Sequence, residues 1–318
     1  MAGLNVSLSF FFATFALCQA ARRAAKALLS GGTYAHVARE TAGAAQLGAC
    51  CLEMRMLVEM GPWVGGFEPD LLLTLIFLLF VAHGATLDGA SANPTVSLQE
   101  FLLAEASLPS TLLKLVAQAL GMQAACALTR LFWAWELSDM HILQRLMDAH
   151  CSSALRTAVP RGALVEGSCA FFFHLTLLCF RHSHPVCRVL AVALLVTVAA
   201  YTAGPLTAAF FNPTLATSVT FHCSGHTFLQ YAQVYWLGPL TGMVLAVLLC
   251  RGASLAFSRG TCSTGRKTKY RIPRAKPAPG PGVTQTPALG RGDGGLGSVA
   301  WAAPREGRPW LDPGTPLS

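Results

Sequence analysis

Apolar residues in this chain gather into runs long enough to cross a bilayer, with polar or Gly/Pro-rich turns between them. The first run is Leu4 to Ala20, centred on Phe10, Phe11 and Phe12 and ended by Arg22-Arg23. The second, Tyr34 to Met60, is interrupted by Glu40, Glu53 and Arg55. The third, Leu71 to Ala82, is intensely apolar, and four more run from Thr111 to Trp135, Ala163 to Phe180, Val189 to Tyr201 and Phe228 to Cys250. A helix of about 20 apolar residues spans the hydrocarbon core, so the pattern predicts an all-α, multi-pass membrane protein.

Two further segments are too short to cross. Ala90 to Leu103 and Ala208 to Phe221 are moderately apolar, and each contains Asn-Pro-Thr, at Asn93-Pro94-Thr95 and Asn212-Pro213-Thr214. Asn caps a helix start and Pro suits its first turn, so each box predicts a helix running about half the membrane depth. One such box is an ordinary cap. Two at corresponding positions in two halves are the mark of an inverted repeat, with the transport site where the short helices meet. Glu40 and Glu166 support the repeat, because each lies in the apolar run that opens its half. The halves span about 34–135 and 162–250, within a channel domain of 31–254. Residues 1–30 form an apolar segment with a basic flank.

Composition agrees with a membrane setting: 53% of residues are hydrophobic and 12% charged. The formal charge of +8 sits largely in Arg22, Arg23 and Lys26 and in Arg266 to Lys276. Basic clusters flanking spans orient them toward the cytosol, and this reading is preferred to a nucleic-acid patch. From 255 to 318 the chain turns basic and rich in Pro and Gly, which predicts a disordered cytosolic tail. The eleven cysteines show no repeated Cys-x-x-Cys or His/Cys spacing, so no metal or other cofactor is expected. Cys151 and Cys223 fall in loops on the non-cytosolic side, where either a disulfide or two free thiols would serve.

Beyond these patterns lies a resemblance. Asp88-Gly-Ala-Ser-Ala-Asn-Pro resembles the first pore loop of aquaporins, and Gly204-Pro-Leu-Thr207 followed by Asn212-Pro213 resembles the second pore loop of aquaglyceroporins. Tyr235-Trp-Leu-Gly-Pro-Leu-Thr-Gly242 is similar to the last aquaporin helix. The likeness covers Tyr34 to Arg251 and, through the altered boxes, points to the divergent superaquaporin branch. It implies six core transmembrane helices and two re-entrant half-helices, with Tyr34 to Met60 as the first core helix. Leu4 to Ala20 is then additional: an extra span, a cleaved signal peptide or an interfacial helix. The resemblance further implies a homotetramer in intracellular membranes, of the endoplasmic reticulum or vesicles. Its partners would be the lipid bilayer, water and small neutral solutes.

For the pore, two half-helices aim their positive dipole ends at one point, where the Asn93 and Asn212 amides donate to a passing oxygen. Cations are repelled there and the proton wire is broken. Thr95 and Thr214 stand where the family usually has Ala, and their hydroxyls should bond back to nearby carbonyls. Leu215 stands where most aquaporins carry an arginine. By spacing from the two asparagines, the remaining filter positions are Leu73, Ala200 and Ala209. All four are small or apolar, which predicts a wide, hydrophobic constriction suited to glycerol-like solutes. Glu40 and Glu166 resemble the family glutamates that accept backbone N–H groups of the pore loops. Asp88 either caps its loop or adds negative field at the cytosolic mouth.

Two other functions compete. Ser224-Gly225-His226 is the nearest approach to a catalytic pair but has no partner motif, so no enzyme is expected. The lost arginine and the polar first core helix instead favour a poorly conducting aquaporin-fold protein with a structural or organelle-maintenance role.

Overall fold

The structure, a computed structural model, describes residues 2–29, 32–148, 151 and 153–264. The residues from 265 onward, where most of the basic tail lies, are outside the described residues. Among the described residues every regular element is helical, and the helices pack as one compact unit. In chain order they are α1 (Ala2–Leu28), α2 (Thr33–Met60), α3 (Pro69–Thr86), α4 (Pro94–Leu102), α5 (Leu108–Trp133) and α6 (Asp139–Asp148). There follow α7 (Val159–Cys179), α8 (Pro185–Thr202), α9 (Gly204–Thr207), α10 (Pro213–Thr220), α11 (Phe228–Ala232) and α12 (Gly238–Thr264). Pro opens α3, α4, α5, α7, α8 and α10 within the first turn, where its missing N–H has no cost. Short π-helical stretches continue α2 through Gly61–Gly65 and join α11 to α12 through Gln233–Leu237. Neither these stretches nor α6 is foretold by the hydropathy pattern.

Among the described residues, six helices are long and apolar enough to cross a membrane: α1, α3, α5, α7, α8 and the α11–α12 run. Their outer faces carry exposed Leu112, Val116, Leu120 and Leu128 on α5 and Leu245, Leu248 and Leu249 on α12. Such surface suits lipid rather than water. The seventh long helix, α2, is as long but more polar. Its polar residues explain themselves by burial: Glu40, Gln46 and Glu53 are all buried and all hydrogen-bonded.

Helix α1 supplies part of that satisfaction. Ser7 donates to Glu53 at 2.6 Å, and the buried Arg22 donates to Gln46 at 2.7 Å. Gln46 donates onward to Thr86 of α3 at 2.9 Å. Glu53 also accepts from Trp133 at 2.7 Å and pairs with His141 of α6 at 3.0 Å. The N-terminal apolar segment is thus one continuous helix laid along α2. An unpaired carboxylate at this depth would cost several kcal/mol (~3) even by the gentlest membrane scale, which accounts for the crowd of donors around Glu53.

The two halves repeat one packing motif. α2 crosses α5, and α7 crosses α12, with glycine at the closest points. A Cβ on Gly121 would strike the Thr41 carbonyl oxygen, and one on Gly242 would strike that of Gly167. A Cβ on Gly238 would lie 2.7 Å from the Ala163 carbonyl oxygen. Small residues let these backbones meet without the hydrophobic effect that drives packing in water. Cys151 and Cys223, 72 residues apart, form a disulfide that ties the loop before α7 to the end of α10.

Because the Gly242 contact is backbone against backbone, no rotamer change can relieve it. Gly242→Val should destabilise the protein by about 2 kcal/mol or more and lower its thermal midpoint in detergent, followed by fluorescence. Gly252→Ala, whose added Cβ meets nothing within 4 Å, should leave the midpoint unchanged.

Candidate functional site: two capped short helices around one cavity

The loops that enter α4 and α10 leave the regular backbone, and each must find partners for its polar groups inside an apolar bundle. Ala92 and Phe211, the residues just before the two asparagines, are held at φ 49° and φ 33°. Asp88, Ala208 and Ala209 in the same loops are also left-handed. L-residues adopt this conformation only when surrounding contacts compel it.

Two glutamates do the compelling. Glu40 on α2 accepts the N–H of Ala92 at 2.6 Å and of Ser91 at 3.1 Å. Glu166 on α7 accepts the N–H of Phe211 at 2.6 Å and of Phe210 at 3.1 Å. The two halves therefore hold their loops in the same way: one buried carboxylate, two backbone donors, and the left-handed residue ahead of Asn at the shorter distance. Gln118 of α5 adds a bond to Glu40 at 2.7 Å and one to Ser97 at 2.9 Å. On the other side, the Tyr235 hydroxyl donates to the Thr207 carbonyl at 3.0 Å.

Each asparagine faces two ways. The Asn93 side-chain oxygen accepts the Thr95 N–H at 3.0 Å and caps α4; that of Asn212 lies 3.4 Å from the Leu215 N–H and caps α10. Their amide nitrogens donate across to the opposite loop: Asn93 to the Phe211 carbonyl at 3.3 Å, Asn212 to the Ala92 carbonyl at 2.9 Å. Each NH₂ group retains a second hydrogen, and both asparagines line a common cavity.

The two threonines behave differently from the expectation of carbonyl bonding. Thr95 and Thr214 donate to the side-chain oxygen of their own box's asparagine, at 2.8 Å and 2.9 Å. Those oxygens are already turned toward the helix starts as caps, so they are the acceptors within reach. The added bonds fix the amide orientation, with oxygen toward the helix and NH₂ toward the cavity. Buried His174 of α7 stands behind the first box, with Nε2 2.9 Å from the Thr95 hydroxyl and Nδ1 2.6 Å from Gln99.

The cavity is large, about 1090 Å³, and is lined by α3 from Pro69 to Leu87. Leu73, Ala200, Ala209 and Leu215 all line it, as do Phe210 and Arg55. Asp88 does not: it pairs with Lys26 of α1 at 2.5 Å, and that hydrogen bond holds its carboxyl below the ordinary pKa. Its charge is paired with α1. Ser224 donates to the Cys151 carbonyl, while His226 faces Ser153 at 3.3 Å, so the two do not pair with each other. Both sulfurs of the cluster formed by Cys151, His222 and Cys223 are engaged in the disulfide.

Gln118, His174, Tyr235 and Arg55 were not singled out as site residues from sequence. His174 carried a signal, since an ionisable side chain inside a span seeks the protein interior. Gln118 and Tyr235 carried none, because their roles depend on which helix lies opposite.

Comparison with known proteins places the chain among relatives. The chain is 70% identical over 290 residues to putative aquaporin-12B of Homo sapiens, covering 91% of this chain and 94% of that protein. It is 68% identical over 280 residues to aquaporin-12 of Mus musculus, covering 88% and 97%. An aquaglyceroporin structure from Plasmodium falciparum aligns with a TM-score of 0.49 at 18% identity, over 67% of this chain and 94% of its own. The major intrinsic protein model matches residues 71–250. Proteins of that family are channels and not enzymes. With the family model matching more than half of the chain and the two aquaporin-12 proteins about 70% identical to it, the chain belongs to the major intrinsic protein, or aquaporin, family.

Proposed function

We propose that this protein is a membrane channel for passive transport of water, small neutral solutes such as glycerol, or both, through a pore built on its two Asn-Pro-Thr boxes. The observation that carries the reading is the reciprocal pair of asparagine amides at one cavity, Asn93 to the Phe211 carbonyl and Asn212 to the Ala92 carbonyl. In this reading α4 and α10 are re-entrant half-helices, and their positive ends repel cations near the midplane. The free amide hydrogens donate to the oxygen of the permeant and turn it, which breaks a proton wire.

Leu73, Ala200, Ala209 and Leu215 act as the filter. None of them offers a polar donor, so the constriction disfavours water by dewetting and accepts solutes with a carbon skeleton. Glu40 and Glu166 support the loops. The channel domain spans about 31–254, with α1 as an additional span covering the polar face of α2. A homotetramer in intracellular membranes agrees with the exposed apolar helix faces and with a disulfide formed in an oxidising lumen.

A second reading has its own observation. The buried network of Arg22, Gln46, Glu53 and His141 ties α1, α2 and α6 together and needs no permeant. A poorly conducting protein with a structural role in an organelle membrane would keep this network and lose flux.

Swelling of proteoliposomes in water, glycerol and hydrogen peroxide separates the readings. The channel should exceed empty liposomes for at least one of the three, and equality for all would leave the structural role. Leu215→Arg should narrow the filter and lower the ratio of glycerol to water flux by about threefold or more; an unchanged ratio would remove Leu215 from the filter. Glu166→Gln should weaken two bonds to a buried carboxylate, each worth about 1.5–3 kcal/mol. Lower flux with a lower thermal midpoint is expected, and a full midpoint would show the loop to be held by other groups.

A further inference from the structure

The position that the family gives to a pore arginine is occupied here by Leu215, yet the wall of the same cavity still carries a guanidinium. Arg55 reaches it from α2, where the sequence shows only a charge interrupting an apolar run. Its guanidinium carbon lies 5.9 Å from the centroid of the Phe210 ring, and Phe210 is flanked by the cavity-lining Ala209 and Phe211. We infer that Arg55 is a cation-excluding residue of this pore, adding from α2 a fixed positive charge to the dipole ends of α4 and α10; this rests on the channel reading above.

Three features support the assignment. The first is position: Arg55, Phe210, Ala209 and Leu215 line one cavity together. The second is anchorage. Arg55 Nε donates to Glu59 at 3.0 Å, one turn along the same helix, and the ring of Phe210 lies across its guanidinium. Phe210 in turn is held through its N–H by Glu166 at 3.1 Å and packs edge-on against Tyr235. A planar guanidinium pinned between a carboxylate and an aromatic face is oriented, as a lysine ammonium would not be.

The third feature is the charge balance. Glu59 also lies 3.5 Å from Arg156, so one carboxylate is shared by two guanidinium groups. Arg55, Glu59 and Arg156 together carry net charge +1, and the buried Nη1 of Arg55 has no hydrogen-bond partner. Within this trio one guanidinium charge is left over; the Glu166 carboxylate, bonded to the Phe210 and Phe211 N–H groups, is a further charge nearby. At an effective dielectric of about 20, one such charge several Å from a passing cation changes its passage tenfold or more. A neutral solute feels no comparable barrier. Arg55 would thus separate two properties that a single pore arginine joins: it repels cations from the wall and leaves the gap beside Leu215 open.

The test uses the full chain in vesicles and two measurements on each variant: swelling in water, glycerol and hydrogen peroxide, and K⁺ leak reported by a trapped K⁺-sensitive dye. Wild type should swell and exclude K⁺. Arg55→Leu should raise the K⁺ leak about tenfold or more while swelling is retained, and Arg55→Lys should stay near the wild-type leak. Arg55→Gln, which keeps a donor for Glu59 and loses the charge, should leak as Arg55→Leu does; it stands in if the leucine variant does not purify as folded protein. Swelling wild type with no extra leak in either neutral variant overturns the role of Arg55 and leaves the channel intact. Wild type that does not swell overturns the channel reading and this inference with it.

Discussion

Two buried carboxylates hold this protein's central feature in place. A membrane interior offers no water to backbone groups, so a chain that breaks off a helix there must satisfy its N–H groups from within. Glu40 and Glu166 each take two such groups, at the same pair of distances and from the same positions ahead of an asparagine. Ala92 and Phe211 stay in the left-handed region because of it. Without these bonds the loops would have no reason to present Asn93 and Asn212 to one cavity.

The packing around the glutamates follows from the same need. α2 runs close to α5, and α7 close to α12, and each of these pairs includes the helix that carries Glu40 or Glu166. Glycines at the crossings permit that approach, since a side chain at Gly121 or Gly242 would collide with backbone. The outer helix α1 solves a different problem. α2 carries Gln46 and Glu53 as well as Glu40, and α1 brings Ser7 and Arg22 to meet the first two. Polar residues that would disqualify α2 as a lone span are absorbed by neighbours.

The cavity wall shows how altered boxes can coexist with an ordered crossing. Thr95 and Thr214 occupy sites of smaller residues in the family at large, yet their hydroxyls bond to the asparagine oxygens and reinforce the cap. Leu215 of α10 brings no charge to the cavity wall, while Arg55 of α2 sets one against Phe210.

Much of this was legible in the chain itself. Runs of apolar residues give the spans because a bilayer has one thickness, and Asn-Pro gives the short helix starts because capping is local chemistry. The glutamates of the matched halves had to face the interior, since an isolated carboxylate has no place in lipid, and it was the family resemblance that named the pore loops as their partners. What the sequence could not decide was which partners meet. That Gln118 serves Glu40, that the threonines bond to asparagine rather than to backbone, that α1 lies along α2, and that Cys151 joins Cys223 all depend on helices brought together from distant parts of the chain. Spacing along one helix is set by its own periodicity. Contact between helices is set by how all of them pack, and only the tertiary structure contains that.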